Sequence, residues 1–298
     1  MESGTQPPEF VAVGHVTHDL VNGEVRLGGA ALYAALTASR LGKRSVLFTS
    51  YGCDFQGEAS LQGVPTRAIR AERTSTFRNL YSGTERVQMV YGIADPLSVE
   101  AFPGTWRRAG IVYLCPVLHE VPLAMGRAVS GALVGVAPQG WLRAWDGQGR
   151  IRARRWEGFE PMLASSRCLV ASEKDIEGNE DLVDVFRSLT PIVVITRAEK
   201  GAVIHLPEKT IEMGAYPAAE VDPTGAGDCF GAAFLIRLLE TGDLLEAARF
   251  ASCVGSFVVE GPGILGIPCR EDVMRRMRRH TIPWREKLAG CFLHPRAV

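Results

Sequence analysis

An acidic residue stands at the end of a run of small residues near position 225. The run is Val221-Asp222-Pro223-Thr224-Gly225-Ala226-Gly227-Asp228, between a predicted strand at 211–216 and an apolar segment at 229–239 that is predicted to be helical. Small residues let the backbone approach a ligand, and the N–H groups and dipole at a helix N-terminus favour an anion. A carboxylate beside such a site would repel phosphate in a simple binding protein. Asp228 is therefore predicted to be a base that removes a proton from a hydroxyl attacking that phosphate.

The secondary structure predicted around residues 221–228 is that of an α/β protein. Short apolar runs alternate with predicted helices, which is the pattern of a parallel sheet with helices on both faces. A segment rich in Thr, Phe, Tyr and Val at 74–91, interrupted by Ser82-Gly83, predicts a hairpin. The chain of 298 residues is long enough for one such domain, predicted over 1–298. The apolar runs lie at 10–14, 45–49, 111–114, 133–136, 168–171 and 192–196.

Composition excludes several other classes of protein. Lys and Arg together number 33, as do Asp and Glu, so no overall charge attracts a nucleic acid or a membrane surface. The seven cysteines are scattered without a CxxC pair, which indicates a reducing compartment rather than disulfides or zinc. No signal sequence and no run of about 18 apolar residues is evident, so a cytoplasmic location is expected. The sequence Gly42-Lys43-Arg44 fails as a P-loop, because Thr37 and Arg44 stand where Gly and Ser or Thr are needed.

Three motifs together resemble a known family. The ordered string D-x-T-G-A-G-D-x-F at 222–230, the pair Gly28-Gly29 before a predicted helix, and G-x-D-x-x-G at 52–57 resemble the signature of the ribokinase-like (PfkB) sugar and nucleoside kinases. The resemblance runs from about residue 10 to residue 268. It implies a three-layer α/β/α sandwich with a mostly parallel central sheet, and a small β-strand lid within about 72–95. It also implies transfer of a phosphoryl group from ATP to a hydroxyl of a sugar, a polyol such as myo-inositol, or a nucleoside.

For the acceptor, the resemblance implies that Asp19 binds substrate hydroxyls. The alternative is that Asp19 only forms part of a turn. A carboxylate can accept two hydrogen bonds from neighbouring hydroxyls. Tyr33 stands where the family carries Asn, so it either lines the site or packs on the sheet. The segment Pro138–Arg143 looks like its equivalent in the inositol-kinase branch, with a solvated loop as the alternative. The candidate acceptor-binding residues are Asp19, Gly28, Gly29, Tyr33, Arg78, Gln139 and Arg143.

On the donor side, the resemblance implies an anion hole built from the N–H groups of Gly225, Ala226 and Gly227. The family pattern Thr-x-Gly-x-x-Gly is altered here, since Ala198 replaces its first Gly. Arg197 and Lys200 either add charge near the phosphates or are solvated turn residues. Cys253 either borders the nucleotide or is a small buried residue. The candidate ATP-binding residues are Thr196, Arg197, Lys200, Gly201, Thr224 and Cys253.

The same resemblance implies that metal ions bind near the donor. The family's N-x-x-E motif is replaced by Ser172-Glu173-Lys174-Asp175. Mg²⁺ retains several waters and needs few protein ligands, so Asp175 and Glu173 are predicted to contact it through water. Pro223 lies in a loop that in some members helps to hold a monovalent cation, and K⁺ dependence stays open.

Two other functions remain open from the sequence. A non-catalytic nucleotide- or sugar-binding regulatory relative would explain the departures at Tyr33, Ser172 and Ala198, but it would not need the base Asp228. An oxidoreductase that uses a dinucleotide is disfavoured, because no G-x-G-x-x-G follows the first predicted strand. The protein is expected to be a monomer or a homodimer formed through the lid.

Overall fold

Sixteen strands are present in the computed structural model, which describes residues 6–21, 23–61, 63–82 and 85–288. In chain order they are β1 Phe10–Val13, β2 Thr17–Val21, β3 Glu24–Gly28, β4 Ser45–Tyr51, β5 Thr66–Arg70, β6 Ser75–Ser82, β7 Glu85–Gly92, β8 Ile111–Leu114, β9 Leu133–Val136, β10 Arg143–Trp145, β11 Ile151–Ala153, β12 Cys168–Ser172, β13 Ile192–Thr196, β14 Ala202–His205, β15 Lys209–Met213 and β16 Trp284–Leu288.

Seven α-helices lie among the same described residues. They are α1 Ala30–Arg40, α2 Met125–Ala128, α3 Glu160–Ala164, α4 Leu182–Leu189, α5 Ala226–Thr241, α6 Leu244–Val258 and α7 Arg270–Arg279. None of them has both the length and the apolar composition needed to cross a membrane. The first five residues, in which no signal sequence is expected, lie outside the described part of the chain.

The large sheet has ten strands in the order β16-β15-β14-β13-β12-β9-β8-β1-β4-β5. The seven from β13 to β5 are parallel to one another, and β14, β15 and β16 are added antiparallel at one edge. All seven parallel strands therefore have their carboxyl ends at the same edge, which is where α/β proteins bind ligands. This mostly parallel sheet confirms the fold class expected from the sequence.

Alternation along the central strands creates two separate cores. In β1, Phe10 and Ala12 pack on the face that α1, α5 and α6 cover, whereas Val11 and Val13 pack on the opposite face. Successive side chains of a strand point to opposite faces, so a strand that is apolar throughout must be covered on both sides. The helices α2, α3 and α4 cover that second face. The result is a three-layer sandwich, in which each fully buried large apolar side chain contributes roughly 1.5–3 kcal/mol.

A second, four-stranded sheet has the order β3-β2-β6-β7. Its strands β6 and β7 are the predicted hairpin, whose turn at Gly83 lies outside the described residues. The strands β2 and β3 were not expected from the sequence, because THDLV at 17–21 is only partly apolar and was interpreted as the polar end of β1. Asp19 therefore lies within a strand of the small sheet and not in a turn, which corrects the alternative interpretation of that residue.

Candidate active site

The run of small residues bends sharply just before α5. Gly225 has φ 79°, and a Cβ atom built on it would lie 2.2 Å from the ring of Tyr33. Only glycine fits this left-handed position with an aromatic ring beneath it. Gly227 has no atom within 4 Å of its Cβ position, so the loop has one open side. The N–H group of Ala226, predicted to belong to an anion hole, makes a 3.3 Å hydrogen bond with the carbonyl of Pro223.

Asp228 lies in the first turn of α5 and is half-buried. Its pKa is raised to about 7, mainly because the carboxyl is desolvated and then because of the charge of Asp175. Arg143 opposes this shift and Asp19 adds to it. Charges from three different elements therefore meet at this carboxyl. A base with a pKa near neutrality both accepts a proton and remains largely ionised at physiological pH.

The carboxylate of Asp19 is brought by the small sheet close enough to Asp228 to raise the pKa of that residue. It stands on β2, and a Cβ atom on Gly28 of the neighbouring strand would lie 2.3 Å from Asp19 Oδ2. The missing side chain at Gly28 thus makes room for the carboxylate. Gly29, the N-cap of α1, has φ 100°, and its Cβ position is 2.3 Å from the carbonyl oxygen of His15. Both glycines are explained by close approach of other groups.

Arg143, whose charge also acts on Asp228, lies on the small hairpin formed by β10 and β11. Its guanidinium lies 6.0 Å from the ring centre of Phe77, and Nη1 donates a hydrogen bond to the carbonyl of Val117 at 3.4 Å. The hairpin is tied to the small sheet, since the N–H of Val90 donates to the carbonyl of Gly149 at 2.8 Å. Arg143 is therefore held in position by contacts with the small sheet and with the loop after β8.

Gln139 and Asp175 meet at the carboxyl edge of the large sheet. Gln139 Nε2 donates to Asp175 Oδ1 at 3.0 Å, and the N–H of Ser172 donates to Asp175 Oδ2 at 2.8 Å. Glu173 instead pairs with Lys200 at 3.7 Å, and both side chains are largely exposed. No group of three or more metal-ligating side chains occurs in the described ranges. One oriented carboxylate, that of Asp175, fits a Mg²⁺ ion that takes its other ligands from phosphate and water.

Of the predicted ligand-binding residues, two are buried and a third points away from Asp19. Tyr33 is only 1% exposed and lies beneath Gly225, so its position agrees with the packing alternative. Cys253 is fully buried between α6 and α7, with Sγ 3.6 Å from the carbonyl of Val273. Arg78 pairs with Leu20 while its neighbour Phe77 pairs with Asp19. Because neighbouring side chains of a strand alternate between faces, Arg78 points away from Asp19.

Three of the predicted donor-binding residues lie at or just after the end of β13, at the carboxyl edge of the large sheet. Thr196 ends β13 and its hydroxyl donates to the carbonyl of Ala171 at 3.4 Å. Arg197 is half-buried, and its Nε atom has no hydrogen-bond partner among the described residues. Gly201 has φ 88°, with its Cβ position 1.9 Å from the carbonyl oxygen of Met213, so the turn itself requires glycine here. Thr224 is exposed, and its N–H donates to Asp222 Oδ1 at 3.0 Å.

Two residues that organise the site received no role in the sequence analysis. Asp222 also accepts a 3.1 Å hydrogen bond from the N–H of Gly263, so it fastens the loop before α5 to the turn after α6. The position of Asp222 at the start of the signature string is the sequence feature that could have indicated this role. Glu120 is 3% exposed and accepts hydrogen bonds from the N–H groups of His15, Val117 and Leu118 at 2.7–2.9 Å. No sequence pattern pointed to Glu120.

The chain is similar to several known kinases. A family model described as pfkB family carbohydrate kinase matches residues 167–267, which include Asp175 and the loop before α5. A nucleoside kinase of Methanothermobacter thermautotrophicus is 28% identical over 274 residues, covering 86% of this chain and 85% of the relative. Inositol 3-kinase of Arabidopsis thaliana is 26% identical over 294 residues, covering 91% of this chain and 81% of the relative.

A solved structure shares the fold along nearly the whole chain. It is a pyrophosphate-dependent kinase of the ribokinase family, complexed with a pyrophosphate analogue and myo-inositol. It superposes with a TM-score of 0.75 at 23% identity, covering 89% of this chain and 99% of that one. Likeness at this level of identity shows that the two chains have the same architecture.

Proposed function

Because the chain belongs to the ribokinase-like (PfkB) family of carbohydrate kinases, we propose that it phosphorylates a hydroxyl group of a small acceptor. The proposed acceptor is a sugar, a polyol such as myo-inositol, or a nucleoside, and the proposed donor is ATP. The observation that carries this proposal is the carboxyl of Asp228, with a pKa of about 7, at the N-terminus of α5 beside an open glycine loop. A general base beside an anion site is the arrangement that phosphoryl transfer to an alcohol needs.

In the proposed reaction, Asp19 accepts hydrogen bonds from acceptor hydroxyls, and Arg143 and Gln139 border the same space. The reacting hydroxyl gives its proton to Asp228 while its oxygen attacks the terminal phosphorus of the donor. The N–H groups at Gly225 and Gly227, at the N-terminus of α5, stabilise the charge that develops on the transferred group. Ala226 contributes less, because its N–H already bonds to Pro223.

Mg²⁺ would be held by Asp175 together with donor phosphates, and it would neutralise phosphate charge there. Gln139 and the N–H of Ser172 orient this carboxylate through hydrogen bonds of 3.0 and 2.8 Å. Glu173 is a weaker candidate, since it already pairs with Lys200. Contact of Mg²⁺ with Asp175 would also reduce the charge that Asp175 exerts on Asp228.

The proposal is tested by measuring phosphorylated product with a panel of acceptors. Myo-inositol, fructose, ribose, adenosine and cytidine would each be supplied with ATP and, separately, with pyrophosphate. Asp228→Asn should lower kcat by at least about 100-fold, the low end of general-base effects, while donor binding is retained. The matched control is Asp184→Asn, because this aspartate lies on α4 with its side chain 84% exposed. Normal turnover by Asp228→Asn would show that the base is another group.

Pyrophosphate is the second candidate donor. A solved structure with the same fold is described as pyrophosphate-dependent. In this chain Cys253, a predicted contact of the nucleotide, is buried between helices and offers no surface to a base. The comparison of ATP with pyrophosphate separates the two donors. A non-catalytic regulatory relative would bind a donor or an acceptor from the panel without forming product.

A further inference from the structure

A cationic side chain of the small sheet contacts the loop that carries the predicted anion hole. Arg26 stands on β3, and its Nη1 atom lies 3.6 Å from Asp222 Oδ2. Asp222 also receives the N–H groups of Thr224 and Gly263 at 3.0 and 3.1 Å. Strand β3 packs against the 3-10 turn at Gly263–Gly266. Arg26 therefore reaches the place where the small sheet meets the chain segments around the start of α5.

Arg26 also shares a face of the small sheet with the acceptor carboxylate. It pairs directly with Asp19 in the antiparallel register of β2 and β3. Residues that pair directly across two strands point to the same side of the sheet. The guanidinium thus lies on the face of Asp19, and it contacts the first residue of the loop that ends at Asp228. In the proposed reaction this is the junction between acceptor and donor.

Arg26 can give up its contact with Asp222 for a contact with phosphate, and little free energy of folding is lost. A distance of 3.6 Å is too long for a hydrogen bond, and the Arg26 side chain is 44% exposed although that of Asp222 is 15% exposed. Such exposed ion pairs contribute roughly 0–1 kcal/mol. A phosphate group offers a guanidinium two charge-assisted hydrogen bonds, which are shorter and stronger. Asp222 keeps its two backbone N–H partners after the guanidinium leaves, so the loop is not disrupted.

The charges around the junction favour a further cation there. Four carboxylates border it, those of Asp19, Asp175, Asp222 and Asp228, and the donor brings several further negative charges. Arg143 compensates the acceptor side, where it lowers the pKa of Asp228. The flexible side chain of Arg26 is placed to compensate the transferred group.

We propose that Arg26 is a catalytic residue, which leaves Asp222 when the donor binds and then contacts the terminal phosphate. This inference rests on the proposed function. In the step, the acceptor oxygen forms a bond to the terminal phosphorus, and the bond from that phosphorus to its bridging oxygen breaks. The acceptor proton passes to Asp228, and the shortened donor leaves with the bridging oxygen. Arg26 stays protonated throughout and stabilises negative charge on the transferred group.

The test compares Arg26→Gln with Arg26→Lys and with the matched control Arg67→Gln. Arg67 is an exposed arginine on β5, the edge strand of the large sheet. Arg26→Gln should lower kcat/KM for the donor by about 100-fold, the effect of removing one stabilising group at a developing charge. Its acceptor KM should stay within about 3-fold, and its melting temperature should stay close to that of the wild type, since exposed ion pairs contribute little to stability. Arg26→Lys, which retains the charge, should keep part of the lost activity.

Donor binding gives a readout that does not depend on turnover. Inorganic pyrophosphate and ATP would each be titrated calorimetrically into the wild type and into Arg26→Gln. Wild-type turnover with equal activity in Arg26→Gln would overturn the role of Arg26 and leave the kinase proposal intact. A large drop in the melting temperature of Arg26→Gln would assign Arg26 a structural role instead. A wild type that binds neither donor and forms no product would overturn both proposals.

Discussion

At the scale of single residues, the carboxyl of Asp228 ties activity to pH. Its pKa is raised to about 7, and only the ionised form can accept a proton. The value of kcat/KM, measured at low concentrations of both donor and acceptor so that the free enzyme titrates, should therefore rise about tenfold per pH unit below 7 and level off above it. The measurement is the rate between pH 5 and pH 9. A profile that is flat over this range, or that has its midpoint near 4, would contradict the assignment.

The same shift makes Asp228 a cost to stability at neutral pH. Because the pKa is raised, the folded protein still holds a proton between about pH 4 and pH 7, where the unfolded chain has already released it. Stability attributed to this group therefore falls as the pH rises through that window. Asp228→Asn should unfold at a higher temperature than the wild type at pH 8, and the difference should disappear near pH 3.5. A melting temperature of Asp228→Asn below that of the wild type at pH 8 would be the opposite result.

Two glycines of the same loop should respond differently to the same substitution. Gly225→Ala places a methyl group on the Tyr33 ring at a φ of 79°, so it should destabilise the fold by at least about 2 kcal/mol. Gly227→Ala meets no protein atom within 4 Å and should leave stability nearly unchanged. Its methyl group instead occupies the open side of the loop, so donor binding should weaken. Thermal unfolding and donor titration of both variants separate packing from binding.

At the scale of elements, the strands β2 and β3 depend on each other through Gly28. A methyl group at this position would displace the Asp19 carboxylate, whose Oδ2 lies 2.3 Å from the Cβ site. Gly28→Ala should therefore raise the acceptor KM by about tenfold or more while donor binding is unchanged, because losing the hydrogen bonds of a charged group costs about 1.5–3 kcal/mol.

The control for that substitution is Gly104→Ala. Gly104 begins a 3-10 turn at Gly104–Arg108, and its Cβ site has no neighbour within 4 Å. The acceptor KM of this variant should match that of the wild type. If Gly28→Ala also retained the wild-type KM, Asp19 would not be the acceptor ligand.

At the scale of the whole molecule, the outer face of the small sheet carries apolar side chains. Leu20 pairs with Val25, and Leu80 pairs with Val87, on the side away from Asp19. Val25 and Leu80 are 39% and 38% exposed. Contiguous exposed apolar patches mark sites of interaction with other proteins, a second copy among them. We expect a homodimer through this face, as one of the two states anticipated for the lid.

The dimer is tested by light scattering during gel filtration. The wild type should have twice the chain mass of 32.3 kDa, and Leu80→Asp should shift it to the monomer. Glu58→Gln, a change of an exposed residue on the large domain, serves as the control and should remain dimeric. A monomeric wild type at micromolar concentration would contradict the expectation.

Much of this protein follows from its sequence because the relevant signals are local. The apolar runs at 111–114, 133–136 and 192–196 correspond to β8, β9 and β13 residue for residue. They are recognisable because strands covered on both faces must be apolar throughout. The string that ends at Asp228 could also be recognised, since glycine at a strained loop position and a helix start are local requirements.

The tertiary structure decided which of the candidate residues meet. Arg26, Asp19 and Asp222 are separated by up to about 200 residues in the chain, and only the pairing of β2 with β3 and the packing of β3 near α5 bring them together. Tyr33 and Cys253 resembled ligand-binding residues because of their positions near motifs, but helix packing buries both. Burial and long-range charge depend on elements from distant parts of the chain, so local pattern cannot reveal them, whereas strand type and loop chemistry are set within a few residues.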